Sequence, residues 1–492
     1  MPTNESTPLL PTAPHELPLN RGHFGVKALF GSVIAAAVAL YCVTSMTHPQ
    51  LVAAVFGMLV VALLVTSVPV AVLVLTALLG LASANVFLCV GGKDCPTLKD
   101  AFAVALSGFG LPLAWLVWAA FNLGLAVELS GLGKRMSLLI IKSFARNPYS
   151  LGPSLLLIEL VTALLIPSNT ARGGALIFPL VVSISKTIAT PSMEKYLILC
   201  GLHANLLSSS ALFYGTVGNP VMAESAETIF GIEFGFVEWI IGASVPTIVL
   251  FFLIPYMCYK LADVKTQDYN ASAIIENTEL ELHRMGPISP SEAAAAIILI
   301  SCLLTWVADV LPDGLVAMIG LNAMMIVGVL KWDDVRDNGK AWDAFFWLAG
   351  MVLIVEQMNK MGLSQAVGDW CKDVLIDGLG PISAALVLGA FYFFSMYLFS
   401  SITSHIVALS TPLLLAGKAA GCPPLLVTGL IAYSSGASAC LTSYSSGVVV
   451  MYFSQNSFSK REWHLYGLLA AVLYLVVFGT VGVAWWKVIG WW

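Results

Sequence analysis

Runs of about 20 apolar residues recur along the chain, and they restrict its possible folds more than any other feature. This is the length that an α-helix needs to cross the hydrocarbon core of a bilayer. Of the 492 residues, 58% are hydrophobic and 10% are charged, whereas a soluble domain carries about 25% charged residues. A membrane β-barrel would instead show short strands of alternating polarity. The sequence therefore predicts an all-α polytopic membrane protein.

Short sequence matches occur in the same order in the two halves of the chain. They include DAF at Asp100 and Asp343, IPSNTA at Ile166 and ITSHIVA at Ile402, and GLHANLLSSS at Gly201 and GLIAYSSGAS at Gly429. Several matches that keep their order indicate an internal repeat. If each half has an odd number of crossings, the two copies lie in opposite orientations, so we expect an inverted repeat.

The basic residues of the loops give the orientation in the membrane. With the N-terminus in the cytoplasm and five crossings before the centre of the chain, most of them, such as Arg146 and Arg336, lie on the cytoplasmic side, as the positive-inside rule requires. We expect eleven crossings and two re-entrant hairpins with tips near Asn169 and His405. The predicted order is a disordered cytoplasmic tail at 1–25, a first transmembrane repeat at 26–259, a central cytoplasmic loop at 260–292 and a second repeat at 293–492.

Polar segments interrupt the apolar runs at matched positions in the two halves. They are Ser168–Gly174, Ser208–Pro220, Thr403–His405 and Ser434–Gly447. Irregular backbone at membrane depth is tolerated only where it is buried in protein or lines a water-filled cavity, and paired breaks of this kind mark the central site of many transporters. Exposed helix N-termini there suit a carboxylate. We assign Asn219, Pro220, Thr442 and Ser446 to substrate binding.

The segment LIPSNTARGGALIFPL, Leu165–Leu180, places Arg172 inside the first predicted hairpin. A charge at this depth costs at least about 2.5–3.5 kcal/mol, which favours a functional role in substrate binding. The alternative is a structural ion pair with Glu159, on the opposite arm of the hairpin. His405, at the matched tip, is a second candidate for binding, and its alternative is a hydrogen-bonded core residue.

The remaining polar features concern the compartment. The nine cysteines lack CxxC spacing, so we expect no metal site. Cys89 and Cys95 share a short loop and would pair if that loop faced an oxidising compartment. The N-terminal segment has no cleaved signal or transit-peptide character, and ESTPLL, Glu5–Leu10, has the shape of an acidic dileucine sorting signal. A vacuolar, endolysosomal or plasma membrane is compatible with these features.

Four segments resemble the divalent anion:sodium symporter family. They are PSNTARGGALIFPL, GTVGNPVMAE, KAWDAFFWLAGMVLIVEQMNKMGL and ACLTSYSSGVVVMYF. The resemblance extends from about Val26 to the end of the chain, and it is greatest to the plastidic 2-oxoglutarate/malate translocators and the bacterial citrate/succinate-type exchangers. It implies an inverted repeat of eleven helices and two hairpins, a homodimer, and elevator-type alternating access.

Carried over by motif, the resemblance implies that Ser168, Asn169 and Thr170 contact a dicarboxylate. It also implies that Ser168, Asn169 and Gly215 border a cation site, and that Ser404 takes the equivalent place in the second half. In the family the cation of this site is Na⁺, which acts as the coupling ion. No other metal is expected.

The chain departs from the sodium-coupled members at the second hairpin. Those members carry a second SNT where this chain reads Ser404-His405-Ile406, which puts a second sodium site in doubt. Arg172 and His405 offer fixed positive charge in place of sodium. A carrier with such a buried charge does not return empty easily, because the charge would be unpaired, and this favours exchange.

The sequence therefore predicts a secondary active transporter that exchanges dicarboxylates of the 2-oxoglutarate, malate or succinate class. The first alternative is a sodium- or proton-coupled di- or tricarboxylate symporter, and the second is a channel or a sulfate-type anion carrier. An enzyme is not expected, since we find no nucleophile–base pair, metal cluster or phosphate loop. The expected partners are the dicarboxylate, membrane lipid and a second copy of the chain, with no nucleic acid.

Overall fold

The computed structural model describes residues 46–65, 68–89, 92–166, 168–265, 271–308 and 310–492. Within these ranges the regular structure is helical, apart from one isolated antiparallel bridge between Leu88 and Asp94. This confirms the predicted all-α class. The predicted tail at 1–25 and the first apolar run, Val26–Ser45, lie outside the described residues.

The helices are numbered in chain order. The first half contains α1 His48–Val65, α2 Val70–Ser83, α3 Leu98–Ser107, α4 Pro112–Ser130, α5 Leu132–Phe144, α6 Leu151–Ala163, α7 Phe178–Ile188, α8 Pro191–Ala211, α9 Gly218–Phe230 and α10 Phe236–Leu261. The second half contains α11 Ala271–Met285, α12 Pro290–Ala308, α13 Asp313–Ile326, α14 Trp332–Arg336, α15 Gly339–Lys360, α16 Leu363–Leu375, α17 Pro381–Ser395, α18 Ile402–Ala419, α19 Pro424–Ala437, α20 Gly447–Phe453, α21 Lys460–Val476 and α22 Val483–Val488.

Several helical segments have the length and hydropathy of membrane spans. Among the described residues nine segments meet both conditions, and α2, α6 and α13 are shorter apolar helices. The chain is therefore a polytopic membrane protein. The number of eleven crossings stays a prediction.

The helices α4 and α15, which the sequence matches pair across the two halves, run antiparallel. The rings of Trp115 and Phe345 lie 4.9 Å apart, and those of Trp118 and Trp342 lie 5.2 Å apart. One turn further along α4, Asn122 accepts a hydrogen bond of 2.9 Å from an asparagine just before α15, Asn338. Successive contacts that move towards the C-terminus of α4 thus move towards the N-terminus of α15. The two helices run in opposite directions, as equivalent helices of an inverted repeat must.

The elements that follow these two helices also repeat. The helices α5 and α16 are both 13 residues long and amphipathic. Each begins after a glycine in the left-handed region, Gly131 with φ 82° and Gly362 with φ 73°, a conformation that favours glycine because it has no Cβ. In both halves an interrupted hairpin and a broken helix come next.

The predicted central loop contains α11, a 15-residue helix that the sequence analysis did not predict. It is held to α5 by ion pairs of 2.9 Å from Lys134 to Glu281 and from Lys142 to Glu279. The hydrogen bond from Lys134, with a second from Arg284, keeps the pKa of Glu281 below its usual range. Helix formation satisfies the backbone here, while the charged side chains stay partly in water.

Cys89 and Cys95 form a disulfide, with their Cα atoms 5.1 Å apart. The loop between them is attached to the C-terminal end of α15. There the buried Gln357 side chain accepts a hydrogen bond of 2.8 Å from the Leu88 N–H and donates one of 3.3 Å to the Leu88 carbonyl. This loop and the end of α15 therefore lie on the same side of the membrane.

Candidate functional site

All four predicted interruptions exist, but their bounds differ: both hairpin breaks begin earlier than predicted, and the two broken-helix breaks are shorter than the predicted segments that contain them. The first hairpin breaks between Ala163 and Asn169, and a helix then continues through a wide π-helical turn at Ala171–Ile177. The other breaks occupy 212–217, 396–401 and 438–446. Gly173 and Gly174 lie inside this helix and not at the turn of the hairpin. At Gly173 a Cβ would lie 2.9 Å from the amide of Asn205, so the glycine permits close packing.

Serine side chains cap the helices that begin at three of these breaks. Ser168 accepts from the Ala171 N–H at 3.2 Å, and Ser446 accepts from the Val449 N–H at 3.1 Å. Ser401 takes this place in the second hairpin and accepts from the N–H of Ser404 at 3.4 Å. A serine cap satisfies one free N–H group and leaves others of the first turn available to an anion. The interruptions are therefore helix starts with anion-binding character.

Arg172 is fully buried in the first hairpin and donates to protein acceptors through all three nitrogens. Its Nε lies 3.1 Å from the buried carboxylate of Glu159. Nη1 donates to the Ile166 carbonyl at 2.5 Å, and Nη2 donates to Gly215 O at 2.9 Å and Ser208 Oγ at 3.2 Å. The structure therefore favours the alternative of a structural ion pair, and it makes Arg172 a connection between the first hairpin and the first broken helix.

Asn205 belongs to the same network, and the sequence analysis missed it. Its amide nitrogen donates to Glu159 at 3.0 Å and to the Asn169 carbonyl at 2.9 Å. Ser208 also donates to Glu159, at 3.0 Å. The sequence contains one signal for its role: Asn205 is the single amide residue within the apolar part of α8, between Gly201 and Ser208. Such a residue needs buried hydrogen-bond partners.

His405 is buried inside the second hairpin. Its ring stacks on Tyr392 at a centroid distance of 4.1 Å and lies 4.9 Å from the ring of Phe399. Its Nε2 shares a hydrogen bond of 2.8 Å with Ser395 Oγ. The structure favours the alternative of a hydrogen-bonded core residue.

Two further predicted residues hold the breaks together. Asn219 donates to the Ser209 and Leu212 carbonyls, at 2.7 and 2.8 Å, and so caps the end of α8. Thr442 Oγ1 accepts from the Ser445 N–H at 2.9 Å.

The other predicted residues differ in their exposure. Pro220 is buried in the first turn of α9, and Ser404 is buried in the first turn of α18. By contrast, Asn169 is partly exposed and Thr170 is exposed.

The breaks of the two halves contact each other. The methyl group of Thr170 lies 3.4 Å from the Cβ position of Gly447, at the start of α20. At Gly218, the first residue of α9, a Cβ would lie 2.1 Å from Ile406 of the second hairpin. The Ala437 N–H donates to Ser210 Oγ at 3.0 Å, which joins the ends of α8 and α19. The structure thus brings together residues that are 188 to 277 positions apart in the sequence.

A cavity of about 440 Å³ reaches the first hairpin. It extends between α4 and the segment that joins α14 to α15, and its polar and charged lining consists of Ser168, Glu128, Asp334, Asp337, Asn338 and Lys340. Small-molecule sites commonly occupy about 300–1,000 Å³. The cavity is large enough for a small carboxylate to approach the SNT triplet.

A model of the family described as the sodium:sulfate symporter transmembrane region matches residues 28–492. Similar proteins include the putative malate transporter YflS of Bacillus subtilis (strain 168), which is 29% identical over 79% of this chain and 82% of its own. Dicarboxylate transporter 1, chloroplastic, of Spinacia oleracea is 28% identical over 82% of this chain and 72% of its own.

The L-tartrate/succinate antiporter of Escherichia coli (strain K12) is 25% identical over 90% of this chain and 93% of its own. Among solved structures, the YdaH transporter of Alcanivorax borkumensis matches with a TM-score of 0.53 and 14% identity, over 86% of this chain and 99% of that chain. At this identity the structural match concerns the fold alone.

Proposed function

Because this chain belongs to the family described by the sodium:sulfate symporter transmembrane region, which is the divalent anion:sodium symporter family that its motifs resemble, we propose that it carries dicarboxylates across a membrane by exchange. Its relatives include proteins named as malate and dicarboxylate transporters and one named as an antiporter. The preferred substrate is expected in the 2-oxoglutarate, malate and succinate class. We do not propose that the protein is an enzyme.

The observation that carries the proposal is the position of the SNT triplet at a helix start that a cavity reaches. Asn169 and Thr170 are at least partly exposed there, beside N–H groups that lack intrahelical partners. The capped start of α20 is near, since a Cβ at Gly447 would lie 3.4 Å from the methyl group of Thr170. Two neighbouring helix N-termini match the two carboxylates of one substrate. We propose that Ser168, Asn169 and Thr170 bind one carboxylate and that Ser446 and the start of α20 bind the other.

Arg172 takes a supporting role in this proposal. Its Nη2 donates to the carbonyl of Gly215, a residue that the resemblance assigns to the border of a cation site, so the guanidinium supplies positive charge beside that position. This geometry supports transport without sodium at this position. Sodium coupling is the alternative, and it would place the ion close to the Arg172 guanidinium.

The pairing of Arg172 changes one argument for exchange. With Glu159 at 3.1 Å, the charge of Arg172 is compensated without any substrate, so an empty carrier holds no unpaired charge here. Exchange therefore rests on the relative named as an antiporter, and coupling to a cation stays a competing mode. We also propose that the protein is a homodimer.

The loop disulfide supports an orientation. Disulfides persist in oxidising compartments, so the loop with Cys89 and Cys95 belongs on the non-cytosolic side. That is the side on which the positive-inside rule places it when the N-terminus is cytoplasmic. A vacuolar, endolysosomal or plasma membrane fits this orientation, and we propose one of these.

Counterflow in proteoliposomes tests the proposal. Vesicles loaded with unlabelled dicarboxylate should accumulate labelled 2-oxoglutarate, malate or succinate without a sodium gradient, and empty vesicles should not. Saturable uptake with competition by dicarboxylates is expected. Uptake into empty vesicles that depends on sodium would support symport instead, whereas non-saturating flux or competition by sulfate alone would support a channel or a sulfate carrier.

A further inference from the structure

A second cavity, of about 300 Å³, lies between α9, α15 and α18, apart from the Arg172 network. Each of the three helices contributes one face to its wall. The polar lining consists of Glu224, Ser225, Thr228, Glu356, Ser410 and Thr411. Among the described residues that line it, none is a lysine, arginine or histidine. The cavity is therefore unsuited to a dicarboxylate and suited to a cation or a proton.

Ser410 gives a second indication of a ligand, independent of the two acids. Its side chain lines the cavity and is 1% exposed, and within the part of the chain that the structure describes its hydroxyl has no hydrogen-bond partner. A buried polar group without a partner is destabilising by about 1–3 kcal/mol. A protonated carboxyl group or a water molecule in the cavity would supply the missing hydrogen bond.

The charged side chains near Glu224 come from α9 itself and from the helices around it. On α9 itself Glu227 follows one turn later and is exposed. On α15 the carboxylate of Glu356 lies 2.6 Å from Lys360 Nζ, and on α18 Lys418 donates to the Ile229 carbonyl. The helix α19 carries no acid, lysine, arginine or histidine. The cavity thus holds a second carboxylate, that of Glu356, beside Glu224, and like charges in a confined space favour protonation of one of them.

We propose that Glu224 takes up one proton in this cavity on the more acidic side, carries it across the membrane together with the dicarboxylate, releases it there, and returns ionised with the counter-substrate. The proton binds a carboxylate oxygen of Glu224 on one side and leaves the same oxygen on the other, so no redox partner is required. The proposal rests on the proposed function, because it assigns a coupling group to that transporter.

The place of Glu224 in the fold fits coupling. It lies on the helix that begins after the break at 212–217, six residues after Gly218, which contacts the second hairpin. The walls formed by α9 and α18 belong to the broken-helix elements, whereas α15 belongs to the antiparallel pair with α4. A displacement of the hairpins against α15 during transport would open or close this cavity.

Substrate-dependent proton movement tests the proposal. Proteoliposomes hold the same dicarboxylate on both sides and a pH-sensitive dye inside, with a pH of about 7 outside and about 8 inside, where carboxylic acids with a pKa near 4 are ionised. Wild-type protein should acidify the interior only when dicarboxylate is present. E224Q should still exchange labelled dicarboxylate but lose the acidification, and E233Q, at an exposed glutamate three residues after the end of α9, should behave like wild type.

The possible results separate the two proposals. Wild-type protein that exchanges no dicarboxylate overturns the proposed function and this inference with it. Wild-type protein that exchanges dicarboxylate without proton movement, or E224Q that moves as many protons as wild type, overturns the inference alone. If E224Q does not exchange dicarboxylate, E224D is the deciding variant. E224D should still move protons, and the pH dependence of this movement should differ from that of wild type. An unchanged pH dependence overturns the inference.

Discussion

Arg172 and Glu159 are both fully buried, and neither faces the cavity at the first hairpin. Removal of one partner of a buried ion pair leaves the other charge uncompensated, which destabilises a protein by about 3–5 kcal/mol. We therefore expect R172Q to lower the melting temperature clearly, and E159Q/R172Q to recover part of the loss because it buries no charge. Thermal unfolding of the purified protein in detergent measures both.

R336Q is the control for this experiment, because Arg336 is 56% exposed and pairs with surface aspartates. Its effect should stay within about 0.5 kcal/mol. If R172Q were as stable as wild type and yet bound no dicarboxylate, Arg172 would be a direct substrate ligand, and the structural role described here would be wrong.

Asn169 is the residue of the SNT triplet whose replacement is expected to affect binding without affecting stability. Its side chain is partly exposed. A hydrogen bond to a charged group contributes about 1.5–3 kcal/mol, so N169A should raise the KM for dicarboxylate about tenfold or more. Initial rates of labelled uptake give the KM, and N322A, at an exposed asparagine of α13, is the control. Equal KM values for N169A and wild type would remove Asn169 from the proposed site.

At the scale of elements, the contact between α9 and the second hairpin is specific enough to test. A Cβ at Gly218 would lie 2.1 Å from Ile406 Cδ1, and overpacking of this kind costs about 1–3 kcal/mol. G218A should therefore reduce stability and transport, and G218A/I406V, which removes that Cδ1 atom, should restore both. Melting temperature and counterflow are the measurements. No rescue by I406V would mean that α9 and the second hairpin do not pack in this way.

The elements that the sequence predicted poorly have two different physical causes. Each interruption was recognised from its polar residues, but serine, threonine and asparagine are common both in breaks and in the first turn of the helix that follows. His405 and Pro220 were placed in breaks and lie in first turns for that reason. Helix α11 was missed because its hydrophobicity is low, and its position depends on ion pairs with α5 that no local pattern reveals.

At the scale of the molecule, the order of the sequence matches was sufficient to predict an inverted repeat, and the antiparallel α4 and α15 agree with it. The contacts across the repeat were not predictable. Asn205 aligns with Tyr433 in the matches, and the two residues have different partners: Asn205 donates to Glu159, while Tyr433 donates to the Trp239 carbonyl. A repeat conserves the path of the backbone more strictly than the side chains buried between its copies.

The orientation of the whole molecule gives the last prediction. The inverted repeat, the basic loops and the disulfide loop each constrain the sidedness, and they agree only if α15 starts on the cytoplasmic side and ends on the opposite side, where Gln357 holds the loop at Leu88. K99C and R336C therefore should react with a membrane-impermeant maleimide from opposite sides of sealed vesicles. Both parent residues are exposed, and the six free cysteines of the described chain are buried, so background labelling should be low. If both variants reacted from the same side, the basic loops and the disulfide loop would share a compartment, and the odd number of crossings between the two copies would be wrong.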